Sequence, residues 1–282
     1  MVETGVRVVR SMPQGAMRPG AGVGRVRQDG CVDLGLRDRT YIVTGASGGL
    51  GFATAKALAD EGARLVISSR NEESISRAAA ELGENVVGIS VDNADPESAE
   101  RLAATAIAKW GALHGALISV GGPRPGTALE TDEDDWRAAF DSVFLGGLRI
   151  ARSVARAGSE GTSIAFVLSS SVKSPIPGLA ISNGLRPGLA MVAKTLADEL
   201  GPNGIRVNGL MPGRIATDRL KELDGKSGDP DAARRASEKT IPLRRYGNPE
   251  EFGRVAAFVL SPVASYVTGA IIPIDGGALR TF

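Results

Sequence analysis

The amino-acid sequence predicts one α/β domain in which helices cover both faces of a doubly wound parallel sheet. From residue 36 onward, short runs rich in β-branched residues alternate with alanine- and leucine-rich stretches that have helical spacing. The short runs are continuously apolar, which is typical of parallel strands buried on both faces. A regular succession of strand and helix favours a doubly wound sheet, and we find no internal repeat and no sign of a second domain.

The predicted elements follow one another in a simple order. The strands are Thr40–Thr44, Arg64–Ser68, Val86–Ser90, Ala116–Ser119, Ser163–Leu168, Ile205–Leu210 and Ala270–Pro273. The helices are Gly51–Glu61, Glu72–Leu82, Pro96–Trp110, Asp134–Ala157, Leu185–Leu200 and Pro249–Leu260. Asp95 and Asn248 each precede a proline, so each can cap a helix that begins at that proline. The charged stretch Lys221–Thr240 breaks the alternation and predicts a long insertion or lid beside the functional site.

The first 35 residues differ from the rest and are excluded from the predicted domain. They are rich in Gly, Arg and Val and show no sustained helical or strand period. We interpret residues 1–35 as a flexible or misassigned extension. A targeting peptide is the alternative, because the segment contains five arginines. It has neither the apolar core of a secretion signal nor a clear amphipathic helix.

Composition narrows the functional classes. The net charge of +1 gives no reason to expect nucleic acid or a membrane surface as partner. No apolar run approaches the roughly 20 residues that span a bilayer. Cys31 is the single cysteine, which excludes an intrachain disulfide and favours the cytoplasm. His114 is the single histidine, and its strand-like surroundings indicate a packed or rim residue instead of a metal ligand or triad member, so no metal site is expected.

A glycine-rich run directly follows the first predicted strand and opens the first helix. Residues 44–51 read TGASGGLG. Glycines at such a turn let the backbone approach a pyrophosphate, which the free N–H groups of the helix start can bind. The position of the run between strand and helix indicates a dinucleotide site of the Rossmann type. The predicted contacts are Gly45, Ser47, Gly49, Leu50 and Gly51.

The end of the second predicted strand indicates which dinucleotide is bound. An acid at this point usually binds the ribose 2′-hydroxyl of NAD, whereas an arginine suits a 2′-phosphate. Here Ser69 and Arg70 stand at the strand end without an acid. The sequence therefore predicts NADP(H) as cofactor, the alternative being that Arg70 is only an exposed arginine.

Several further motifs, in order, resemble the short-chain dehydrogenase/reductase family, of the 3-oxoacyl-carrier-protein reductase type, over Leu36–Phe282. The matching segments are residues 91–93, 204–208, 212–217, 266–269 and 275–277, which read VDN, GIRVN, PGRIAT, YVTG and DGG. The resemblance implies that Asp92 and Asn93 lie at the adenine. It implies nicotinamide-side contacts from Gly121, Pro212, Gly213, Ile215 and Thr217. It also implies a homotetramer or homodimer formed through the helices Asp134–Ala157 and Leu185–Leu200.

The family's catalytic positions are altered in this sequence. The family uses an asparagine, a serine, a tyrosine and a lysine four residues after the tyrosine. The resemblance places Val143 at the asparagine, Ser182 at the tyrosine and Arg186 at the lysine. The serine falls within Ser169–Ser171, and we favour Ser170. The three tyrosines of the chain all match other parts of the family pattern.

Two functions remain open after these substitutions. The first is an NADP(H)-dependent reductase of a carbonyl or alcohol compound, such as a 3-oxoacyl thioester. Its proton would come through Ser170, Ser182, Lys173 or water, while Arg186 would orient the nicotinamide ribose. Lys173 can equally be a solvated loop lysine. The second function is a cofactor-binding pseudoenzyme with a scaffold or regulatory role. The intact loop that ends at Thr217 favours the reductase.

Overall fold

The computed structural model describes residues 32–225 and 228–281, and within them seven strands form one parallel sheet. The strands are β1 (Thr40–Thr44), β2 (Arg64–Ser69), β3 (Val86–Ser90), β4 (Gly115–Ile118), β5 (Ser163–Val167), β6 (Arg206–Pro212) and β7 (Ile271–Ile274). Their order across the sheet is β3-β2-β1-β4-β5-β6-β7. The predicted single domain of Rossmann type is confirmed.

Helices cover both faces of this sheet. In the described residues they are α1 (Gly49–Asp60), α2 (Glu72–Leu82), α3 (Ser98–Trp110), α4 (Glu133–Ala139), α5 (Gly146–Ala157), α6 (Ala180–Leu200), α7 (Asp218–Gly225), α8 (Pro230–Thr240) and α9 (Pro249–Leu260). One apolar core lies between the sheet and α3, α5 and α6, and a second lies between the opposite face and α1, α2 and α9. Burial of the five central strands on both faces explains their continuous apolar runs.

The predicted helix start is confirmed for one of the two proline-led helices, because α9 begins at Pro249. At α9, the carboxylate of Glu251 accepts from the backbone N–H of Asn248 at 2.8 Å and completes a capping box. At α3 the prediction of a start at Pro96 is wrong, because the helix begins at Ser98. Asp95 instead accepts from the backbone N–H of Glu97 at 2.9 Å and closes a turn that contains the proline.

The predicted continuous helix Asp134–Ala157 is interrupted. A π-helix at Phe140–Leu145 separates α4 from α5. Such a segment carries one extra residue per turn, so it changes the direction in which the side chains after it point. Val143 lies in this segment and is buried, with its side chain at the edge of the cleft described below.

The predicted lid Lys221–Thr240 contains most of α7 and all of α8. Asp224 of α7 accepts from the guanidinium of Arg214 at 2.9 Å and from the hydroxyl of Tyr246 at 3.0 Å. Arg214 and Arg234 both lie over the ring of Tyr246, at 5.8 and 5.1 Å from its centroid. These contacts attach the lid helices to the loop that follows β6.

The strand order reverses between β1 and β4. From this point β1 to β3 follow one another toward one edge of the sheet, and β4 to β7 follow one another toward the other edge. Ligands of open α/β sheets bind in the crevice outside the carboxyl ends of the strands at this switch point. The loops at residues 45–49 and 119–123 lie at this crevice.

Two predictions concern residues that the structure does not describe. The extension at residues 1–35 is described only from residue 32, and the single cysteine, Cys31, lies outside the described residues. In the described ranges, no helix combines the length and apolarity needed to cross a bilayer.

Candidate functional site

A long cleft runs across the carboxyl ends of β1 and β4. It consists of two adjoining cavities of about 940 and about 420 Å³, which share Gly45, Ser47 and residues 119–123. The larger cavity lies toward β2 and β3, and the smaller one lies toward β5, β6 and α7. A cleft with these two ends can hold an extended molecule with distinct groups at each end.

The glycine run forms a tight backbone turn at the middle of the cleft. Gly45 and Gly49 have φ of +60° and +56°, a region that side-chain-bearing residues rarely adopt. A Cβ at Gly51 would lie 2.2 Å from the carbonyl oxygen of Gly45. No side chain caps the start of α1, and its first turn carries no acid. The uncapped N–H groups therefore face a space that suits an anion such as a pyrophosphate.

The larger cavity carries the residues predicted for the adenosine half. Ser69, Arg70, Asp92 and Asn93 all line it. The carboxylate of Asp92 accepts from the backbone N–H of Ala94 at 2.9 Å, which fixes the loop after β3. Arg70 is exposed at the end of β2. Its guanidinium is thus available at the rim of this cavity.

The smaller cavity carries the residues predicted for the nicotinamide side. Its lining includes Gly121, Pro212, Gly213, Ile215 and Thr217. The loop after β6 is fixed by two backbone hydrogen bonds to residue 247, which accepts from the N–H of residue 216 at 2.8 Å and donates to the carbonyl of residue 214 at 3.0 Å. This loop is therefore held independently of any ligand.

Of the three neighbouring serines, the structure places Ser169 in the cleft, where the sequence favoured Ser170. Ser169 lines the smaller cavity, and its hydroxyl oxygen accepts from the backbone N–H of Ser171 at 3.1 Å. Its own O–H proton remains available for a ligand. Ser170 begins a short 3-10 turn and is not among the residues that line either cavity.

Ser182 also lines the smaller cavity, from the first turns of α6. It is buried, and its hydroxyl lies 3.1 Å from the hydroxyl of Ser171, where either oxygen can be the donor. The two hydroxyls form a short polar chain behind the cavity wall. This chain can orient the Ser182 hydroxyl toward a ligand oxygen.

Arg186 lies one turn of α6 beyond Ser182 and lines the same cavity. Only 5% of its surface is exposed. Its guanidinium donates to the carbonyl oxygen of Val167 and, at 3.4 Å, to that of Val120. Burial lowers the pKa of Arg186 to about 10, so it remains charged at neutral pH.

Neither Lys173 nor a tyrosine lines the cleft in the described residues. Lys173 is an exposed residue of the loop after the 3-10 turn. All three tyrosines are described. Tyr41 is buried in β1, and burial raises its pKa to about 12. Tyr246 donates to Asp224 of α7, and Tyr266 is fully exposed. No phenol of the chain is therefore placed to serve as an acid in this cavity.

Arg219 is a cleft residue that the sequence analysis missed. It lines the smaller cavity from the first turn of α7, and its guanidinium donates to the carbonyl oxygen of Pro123 at 2.7 Å and to Glu222 at 2.9 Å. It thereby joins the lid to the loop after β4. Its position two residues after Thr217 was the available signal.

His114 directly precedes β4 and does not line the cleft. Its Nδ1 accepts from the backbone N–H of Thr40 at 2.9 Å. Burial, and then the positive charges of Arg39 and Arg64, lower its pKa, so the ring is neutral at physiological pH. The predicted structural role of this histidine agrees with these contacts.

The chain is similar in sequence and in fold to known oxidoreductases. A family model described as enoyl-(acyl carrier protein) reductase matches residues 45–278. Human dehydrogenase/reductase SDR family member 4 is 32% identical over 251 residues, covering 86% of this chain and 88% of that protein. An uncharacterized oxidoreductase of Mycobacterium tuberculosis is 34% identical over 262 residues, covering 88% and 94%. The L-sorbose reductase from Gluconobacter frateurii, solved with NADPH and L-sorbose, has a TM-score of 0.81 at 28% identity, covering 89% and 100%.

Proposed function

The chain belongs to the short-chain dehydrogenase/reductase family, and we propose that it is an NADP(H)-dependent oxidoreductase with non-standard catalytic residues. Its substrate is a carbonyl or alcohol compound, and a 3-oxoacyl thioester is one member of that class. The single observation that carries the proposal is the continuous cleft, which combines the glycine turn and the fixed loop after β6 with two hydroxyls and a buried cation.

The described residues fit the cofactor at both ends. The uncapped start of α1 and the close approach of Gly45 and Gly51 suit its pyrophosphate. Asp92 and Asn93 would border the adenine, and Arg70 would bind a 2′-phosphate. When bound, the cofactor supplies the hydride for carbonyl reduction.

The protein's own contribution is to hold the carbonyl oxygen and stabilise its developing negative charge. Ser169 and Ser182 can donate hydrogen bonds to that oxygen, and the charge of Arg186 favours the anion. The proton follows through Ser182 or water. Since Ser169 and not Ser170 lines the cavity, Ser169 takes the role first assigned to Ser170. Lys173 is not among the residues that line the cavity, and we expect Lys173→Ala to retain activity.

We predict that NADPH binds more tightly than NADH and that Arg70→Asp reverses this order. The substitution removes the cation that would pair with the 2′-phosphate and adds an acid for the 2′-hydroxyl. The preference should change by about tenfold or more, since a charge-assisted contact is worth about 1.5–3 kcal/mol. Calorimetric titration of both cofactors measures it.

Arg77→Asp is the matched control for this experiment. Arg77 is an exposed arginine of α2 that pairs with Glu73 and does not line the cleft. It should keep the wild-type order of affinities. Equal affinities of the wild-type protein for NADPH and NADH would contradict the assignment of Arg70.

A cofactor-binding pseudoenzyme is the second candidate, and the absence of a phenol from the cleft favours it. A stopped-flow screen of NADPH oxidation over ketones, quinones and 3-oxoacyl thioesters separates the two functions. Firm NADPH binding without turnover of any compound would support the pseudoenzyme. Turnover that falls in Ser169→Ala and Ser182→Ala would support the reductase.

We also propose that the protein is a homotetramer or homodimer. Phe140, at the join of α4 and α5, and Met191, on α6, expose large apolar side chains on helices that the family uses for twofold contacts. Light scattering at micromolar concentration should give at least twice the mass of one chain. A monomeric mass would overturn this assembly.

A further inference from the structure

Two buried arginines of this fold have different surroundings. Arg206 donates to three carbonyl oxygens, those of Val259, Ser261 and Val267, at 2.9 to 3.1 Å, and does not line the cleft. Its role is to join β6 to the segment after α9. Arg186 donates to two carbonyl oxygens and lines the smaller cavity. Its position gives a buried charge access to a ligand.

Arg186 carries a buried positive charge. Among residues 32–225 and 228–281, no carboxylate forms a salt bridge with it. An unpaired buried cation is costly, because carbonyl dipoles only partly replace its hydration. An anionic group of a ligand bound at this point would therefore offset the free-energy cost of burying the Arg186 charge.

The rest of the smaller cavity agrees with an anionic ligand that has an apolar body. Arg219, which pairs with Glu222 at 2.9 Å, adds a second cation to the lining. Asp218, the single acid in the lining, is exposed and pairs with Lys221 at 2.9 Å. The apolar lining includes five leucines: Leu50, Leu168, Leu179, Leu220 and Leu223. Cations beside leucines fit a small carboxylate with a hydrocarbon chain.

We infer that the substrate of this site is an oxo acid, whose carboxylate is bound by Arg186 while its carbonyl oxygen lies at the hydroxyls of Ser169 and Ser182. The inference rests on the proposed function, because it assigns the charge of the compound whose carbonyl is reduced. Arg186 thereby becomes a determinant of substrate specificity. The leucines of α7 would contact the hydrocarbon chain.

The test is a comparison of one acid with its neutral ester. Calorimetry measures the dissociation constants of 4-methyl-2-oxopentanoate and its methyl ester on protein saturated with NADP⁺. Under these conditions no turnover occurs, and the pyrophosphate site at the start of α1 is occupied. We expect the acid to bind at least tenfold more tightly than the ester. Arg186→Met should bring the two dissociation constants within about twofold, and Arg186→Lys should keep most of the preference.

Arg149→Met is the matched control, because Arg149 donates to the carbonyl oxygen of Ala94 at 3.1 Å and does not line the cavity. It should keep the full preference for the acid. Equal binding of acid and ester by the wild-type protein overturns the inference, and so does a preference that persists in Arg186→Met. The first comparison needs no variant to fold. Failure to bind NADP⁺ would instead overturn the proposed function.

Discussion

Replacing Gly51 with alanine is expected to lower the affinity for NADPH by about 100-fold, or about 2.7 kcal/mol. The new Cβ would lie 2.2 Å from the carbonyl oxygen and 2.7 Å from the carbonyl carbon of Gly45. Both atoms belong to the backbone, so neither can rotate away. The start of α1 must move relative to the turn, which takes its N–H groups away from the pyrophosphate. Losing one charge-assisted hydrogen bond to an anion costs about 1.5–3 kcal/mol, which matches a loss of this size.

Gly48→Ala provides the matched control in the same turn. Gly48 has an extended backbone with φ of −177°, and a Cβ there has nothing within 4 Å. The chemical change is the same, but no atom has to move. Calorimetric titration with NADPH and thermal unfolding of both variants separate a binding defect from general destabilisation. Equal NADPH affinities of the two variants would show that the approach of Gly51 to Gly45 does not shape the site.

The sheet could be predicted from the sequence because its five central strands are buried on both faces. The runs at β1 and β3 were predicted to the residue, and the other strand limits differ by one or two positions. Continuous apolar runs between alanine-rich helices leave few other architectures. The glycine turn was predictable for a related reason, since residues 44–51 combine a local pattern with a fixed place after the first strand.

Other features depend on contacts that the sequence pattern does not show. The π-helix at Phe140–Leu145 has helical composition throughout, so periodicity predicted one continuous helix. The three neighbouring serines are chemically identical in the sequence. In the structure Ser169 precedes a 3-10 turn that starts at Ser170, and of the three only Ser169 lines the cavity. The cleft position of Arg219 likewise depends on α7 reaching the carbonyl of Pro123.

Restoring a phenol to the cavity is expected to raise the rate of carbonyl reduction. Ser182→Tyr would place the ring at the first turns of α6, where Ser182 now faces a cavity of about 420 Å³. A tyrosine has a pKa of about 10, and the nearby positive charge of Arg186 lowers it toward neutrality. A positioned general acid contributes about 10²–10⁴ in rate, so the gain in kcat should be of this order.

Ser182→Phe is the control, because it fills the same space without a proton to donate. If the general acid is what the natural site lacks, the tyrosine variant should exceed both the wild-type protein and the phenylalanine variant in single-turnover NADPH oxidation. Its rate should fall as pH rises through the phenol pKa, since the protonated form is the donor. Equal rates of the two ring variants would mean that the proton already reaches the substrate by another route. Turnover that appears only in Ser182→Tyr would show that the natural protein positions cofactor and substrate and lacks only the acid.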